Sequence, residues 1–97
     1  MSDPAMLETS EILDEIIDQN VLIRTVTMTL TGRVEAIDMA TIKLSGAAWI
    51  ADAGRFADAL RTGALEEVEP YPDVAYVARA SIVDLCIWRH PLPRTQR

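Results

Sequence analysis

The chain has 97 residues, 49% of them hydrophobic, and a formal net charge of −6. That length suits one domain with a single modest core, which association between copies would strengthen. No apolar run approaches the roughly 20 residues of a membrane-spanning helix, and the first residues are acidic where a secretory leader is basic; the expectation is a soluble, cytoplasmic protein with no membrane partner.

The charge is unevenly placed. Residues 1–20 carry six acids and no Lys or Arg, which leaves nine acids against nine bases in the remainder. Residues 4–19 have helical spacing: Pro4 fits a first helical position, and Met6, Ile12, Leu13, Ile16 and Ile17 recur at three, four and seven. Thr9 or Ser10 could instead cap a shorter helix, and Asn20 is a suitable stop.

From residue 21 the period changes to two. Leu22, Val26, Met28, Leu30 and Val34 share one parity, while Thr25, Thr27, Thr29 and Thr31 share the other. This predicts one long strand over 21–37 with a buried face and a threonine face. Gly32 would let that strand bend enough to close a small barrel. A turn at Asp38-Met39-Ala40 leads to a second strand over 41–44, Asp38 being able to bond to the amides ahead of it.

After Ser45-Gly46 a helix is expected over 52–63, with Asp52 as N-cap, Ala53, Phe56, Ala57 and Leu60 on its buried face, and Gly63 closing it in the left-handed region. Residues 66–73 read as a connector, because two prolines and four acids suit neither a central strand nor a helix. Strands follow over 74–78 and 82–88, joined by a corner at Arg79-Ala80-Ser81. The basic, proline-rich residues 89–97 are expected to leave the fold as an extended tail.

The inventory for catalysis is thin. His90 is the sole histidine and Cys86 the sole cysteine, so no internal disulfide can form, and a hydrolytic triad or a tetrahedral zinc site has too few partners. The four glycines are dispersed and build no phosphate cradle. The expectation is a non-enzymatic protein without metal or cofactor. The nucleic-acid candidates are Arg79, Arg89, Arg94 and Arg97, with Arg24 and Arg33 on the first strand; the competing reading pairs arginines with Glu35, Asp84 and the N-terminal acids. Thr25, Thr27, Thr29, Trp49 and Trp88 are the interface candidates, because an uncharged β-face and large aromatics favour packing or assembly.

The element order resembles the Sm-like small barrel of the Sm, LSm and Hfq proteins. Gly32, Val34, Ile37 and Asp38 sit at the spacings of the first Sm motif, and Arg79-Ala80-Ser81-Ile82-Val83-Asp84 is similar to the Lys-His-Ala-Ile-Ser-Thr stretch of Hfq, which would put Arg79 at its basic position. The chain departs from the family in lacking an asparagine after Asp38, a glycine after Arg79 and a base-stacking aromatic in the first loop. The insertion over 49–73 has no counterpart in a minimal member. Shorter stretches also look similar to segments of small uncharacterised bacterial and phage proteins. The resemblance implies a strongly bent antiparallel barrel over 21–88; with the N-terminal helix and the helical insertion between the second and third β-segments, both read from the spacing, the expected fold is mainly β, α+β. The resemblance also implies self-assembly into a homo-oligomeric ring. The alternatives are a ring that binds RNA or DNA, and a phage-type structural or adaptor protein with a protein partner.

Overall fold

Three consecutive apolar residues, Val21, Leu22 and Ile23, decide how the sheet is built. In the computed structural model, which describes residues 12–97, all three are essentially inaccessible to solvent. They lie on β1 (Asn20–Thr25), and since successive side chains of a strand point to opposite faces, β1 must be covered on both. Each such side chain contributes about 1.5–3 kcal/mol of burial. The remaining strands are β2 (Thr29–Ile37), β3 (Thr41–Asp52), β4 (Glu67–Pro70), β5 (Ala75–Ala78) and β6 (Ile82–Ile87), with one helix, α1 (Phe56–Thr62), between β3 and β4.

The protein is mainly β, and its sheet is antiparallel in the order β4-β3-β2-β1-β6, with β5 attached to β3. The expected single strand over 21–37 is therefore two strands folded into a hairpin at residues 26–28. Thr25 makes that turn. Its hydroxyl accepts the Met28 N–H at 2.9 Å and the Thr27 N–H at 3.4 Å, and donates to the Met28 carbonyl at 3.1 Å. The turn also breaks the predicted parity: Val26 is 76% exposed, whereas Thr31 is wholly buried opposite Leu22 and Ala48.

β3 is much longer than the predicted 41–44. Its register against β2 slips where two residues, Gly46 and Ala47, oppose the single Gly32. Gly46 has φ +54, and a β-carbon on Gly32 would stand 3.0 Å from the Leu44 β-carbon, so both glycines are required by this bulge. The bend also switches partners. Residues 41–44 of β3 pair with β5, and residues 48–52 pair with β4. The 66–73 stretch is thus a strand for its first part: Val68 is fully buried between exposed Glu67 and Glu69, and Pro70 stands at the strand end, where its missing N–H is harmless.

Two apolar clusters lie on the two faces. One gathers Val21, Ile23, Leu30, Val34, Ile42, Leu44 and Val77 with Ile16 from the N-terminal segment. The other gathers Leu22, Ile50, Val68 and Trp88 with Ala59 and Leu65. Residues 12–14 are helical and are followed by turns, with Asp18 in the left-handed region at φ 65. The Asp18 N–H donates to the Val34 carbonyl at 2.8 Å, which ties this turn segment to β2, and Asn20 already belongs to β1. The part of the expected 4–19 helix before residue 12 lies outside the described residues.

α1 is shorter than the 52–63 span expected. Asp52 closes β3, and its carboxylate accepts the Gly54 N–H at 2.7 Å rather than capping the helix, whose N-cap position is Arg55. Ala59 is its buried residue, and of the expected face Ala53 and Leu60 pack against the core while Phe56 and Ala57 are exposed. Gly63 ends it at φ 77, donating to the Ala59 carbonyl at 2.8 Å.

Residues 89–97 are extended but do not leave the body. The Trp88 indole N–H donates to the Pro91 carbonyl at 3.3 Å, His90 bonds to the Leu60 carbonyl at 2.7 Å, and Pro93 is buried. Arg97 then pairs with Val68, each N–H donating to the other's carbonyl at 3.0 and 3.2 Å. The sheet does not close. β5 and β6 are joined by a 3-10 turn (Arg79–Ser81) that carries the chain from the β3 edge to the β1 edge without a hairpin, and the two strands are not hydrogen-bonded to each other.

Candidate functional site

That corner leaves two strand edges side by side in sequence. β5 pairs only with β3 and β6 only with β1 among the described residues. Backbone groups on the far side of each strand are therefore open to another strand. Along β5, Ala75 and Val77 turn inward while Tyr76 turns out, 65% exposed; on β6, Val83 is the extra residue of a bulge against β1 and is 64% exposed.

A cleft of about 430 Å³ runs beside the β5 edge. Thr25, Thr27, Met28 and Leu30 form one wall, Tyr71 with residues 74–78 the other, and Ser81 its end. The walls are fixed relative to each other because the Val26 N–H donates to the Ser81 carbonyl at 3.0 Å, tying the β1–β2 hairpin to the 3-10 turn. The Ser81 hydroxyl in turn donates to the Ala78 carbonyl at 2.7 Å. The lining is apolar, with hydroxyls at its margins and no charged side chain. Such a surface can bury a strand or an apolar side chain; it holds no acid, base or nucleophile pair to move a proton.

A second, shallower cleft of about 280 Å³ lies on the other side of the same hairpin and brings together Thr25, Thr27, Thr29 and Trp49, with Trp49 40% exposed. Arg24 borders it. Its guanidinium forms a two-pronged ion pair with Asp84, Nε to Oδ1 at 2.8 Å and Nη2 to Oδ2, and stands 4.8 Å from the centre of the Phe56 ring. The hydrogen bond and charge of Arg24 hold the Asp84 carboxyl below the usual aspartate range, and Asp84 raises Arg24 further. The fifth interface candidate, Trp88, is 2% exposed and belongs to the core, with the His90 ring edge-on at 4.9 Å.

The arginine candidates do not converge. Arg79 Nη1 donates to the Asp38 carbonyl at 2.6 Å and its backbone N–H to Ala40 at 2.8 Å, so it fastens the turn at the start of β3. Arg97 lies against β4, which pairs with the opposite end of β3, and its guanidinium donates to the Leu65 carbonyl at 3.1 Å. Arg94 borders a third cleft with Gly46, Tyr71 and Leu92, and Arg89 is exposed. Arg33 lies 3.5 Å from Asp18 and 3.6 Å from Glu35. Cys86 is half-buried beside the second cluster, and burial, assisted by the Asp84 charge, pushes its thiol pKa up. Among the described residues no three His, Cys, Asp or Glu side chains group as a metal site, and no helix is long and apolar enough to cross a membrane.

Comparison of the chain with protein-family models, curated proteins and solved structures yields no match in any of the three. The exposed edge residues Tyr76 and Val83 did not stand out in the sequence. The one signal for Tyr76 was its place as an aromatic at an outward position between Ala75 and Val77.

Proposed function

We propose that this is a non-enzymatic, divergent Sm-like protein that assembles with copies of itself into a homo-oligomeric ring. The observation that carries the proposal is the pair of open edges on β5 and β6, set either side of one 3-10 turn, with an apolar cleft along the first. The short 3-10 turn before the last strand corresponds to the corner by which the sequence resembles the Sm-like barrel. The edge of β5 on one subunit differs from the edge of β6 on the next, so the contact is head-to-tail. Repeated at a rotation that divides a full turn, without translation along the axis, such a contact closes a ring. Strand pairing supplies backbone hydrogen bonds, and the outward Tyr76 and Val83 supply the apolar area that makes association favourable.

The test is mass in solution by light scattering and native mass spectrometry. One discrete multiple of the chain mass is expected over a wide concentration range, and a strict monomer overturns the proposal.

A further inference from the structure

The outer edge of β4 differs from the edges of β5 and β6 in already being occupied. The Val68–Arg97 pair is a two-bond antiparallel bridge, so the backbone at residue 97 acts as a strand added to β4. The side chains on either side are matched in polarity. Gln96 donates to the Glu69 carboxylate at 3.1 Å, the Arg97 guanidinium donates to the Leu65 carbonyl at 3.1 Å, and Glu67 stands exposed on the same four-residue strand. Two β4 edges from different copies would set these glutamates against each other, so the acidic edge disfavours pairing with itself and favours a basic segment.

The geometry points to the outer edge of β4 as a strand-addition site for an extended, arginine-bearing polypeptide segment of a partner protein, filled in this structure by the chain's own residues 96–97. The cis segment shows main-chain hydrogen bonds to Val68, which any extended peptide can make, and side-chain donors to Glu69 and the Leu65 carbonyl; the exposed Glu67 and Glu69 add the negative charge that favours a basic sequence. Upstream, the segment is held by Pro93, which is buried, and by Leu92, which packs on the core cluster. A partner segment that takes over the Val68 bonds displaces residues 96–97 and leaves Leu92 and Pro93 in place on the core. The tether gives the cis segment an effective concentration in the millimolar range, so the resting state is the closed one.

The test uses the full chain carrying Arg97→Pro, which removes both the N–H that donates to Val68 and the guanidinium. The probe is a fluorescently labelled peptide with the sequence of residues 89–97. Saturable binding to the variant is expected, with binding to the parent at least about tenfold weaker because its edge is filled. Replacing the peptide's last arginine by glutamate should abolish binding, and Glu69→Lys in the protein should weaken it several-fold. No binding to the variant, equal binding to variant and parent, or equal binding of the glutamate peptide would each overturn the inference. Circular dichroism of the variant, matched to the parent, ensures that lost binding is read on a folded protein.

Discussion

Gly63 lies flat against the ring of His90: a β-carbon at Gly63 would fall 2.6 Å from the His90 Cγ. The same glycine sits at φ 77, a conformation that costs an L-residue about 1 kcal/mol. Gly63→Ala therefore combines backbone strain with displacement of the ring that bonds to the Leu60 carbonyl. A loss of about 2–3 kcal/mol is expected in urea denaturation, and a change under about 0.5 kcal/mol would contradict the packing.

Thr31 offers the opposite sign. Its Oγ1 is buried with no hydrogen-bond partner among the described residues, on a face shared with Leu22 and Ala48. Thr31→Val keeps the shape and removes the unsatisfied hydroxyl, so a gain of about 1 kcal/mol is expected in the same measurement. Destabilisation by the valine would mean that the hydroxyl is bonded in solution.

The Arg24–Asp84 pair makes a pH prediction. Because the Asp84 pKa is lowered on folding, chiefly by its hydrogen bond to Arg24, the pair stabilises the protein above the unfolded aspartate value of about 4. That contribution is lost as pH falls through the lower folded value. The stability difference between the parent and Asp84→Asn should thus be constant near neutrality and vanish in acid. Since both side chains are nearly half exposed, it should also shrink with added salt. A difference that does not diminish as pH falls below about 4 would rule the pair out as its source.

Cys86 should be a slow nucleophile. Burial raises its pKa, so less thiolate is present at pH 8 than for an ordinary cysteine. Alkylation with iodoacetamide should run several-fold slower in the folded protein than in urea. Equal rates would show that the strand is open at that position.

Introducing a charge at the open edges should separate the subunits. Tyr76→Lys and Val83→Lys alter outward positions whose side chains are 65% and 64% exposed in the single chain, so the fold should survive, while each lysine would oppose strand addition. The expected result is a smaller species by light scattering with an unchanged circular dichroism spectrum. An unchanged mass for both variants would move the subunit contact away from β5 and β6.

The sequence carried much of the local grammar and little of its closure. Gly32 marked a bend, Asp38 a turn whose carboxylate accepts the Ala40 and Thr41 amides at 2.9 and 2.8 Å, and Gly63 a helix end. The alternation over 21–37 hid a hairpin because a three-residue turn containing Val26 and Met28 preserves an apolar–polar rhythm; only the Thr25 hydroxyl bonds mark the reversal. β4 was obscured by its glutamates and Pro70, which are tolerated because one face and one end of that strand meet solvent. The edge cleft was invisible for a different reason: it arises where the 3-10 turn, tied to the β1–β2 hairpin through Val26 and Ser81, sets β5 beside that hairpin, which is a matter of topology and not of composition.

The double coverage of β1 sets the order in which the molecule can come apart. Its neighbours β2 and β6 flank it and apolar clusters lie above and below it, so its amide protons can exchange only when both layers separate. Fraying of the β4 edge or of α1 takes Val68 or Ala59 from one cluster but leaves the β1 backbone paired to β2 and β6. The slowest-exchanging hydrogens should accordingly be those of Val21, Leu22 and Ile23, reporting the free energy of global unfolding and not that of any local opening.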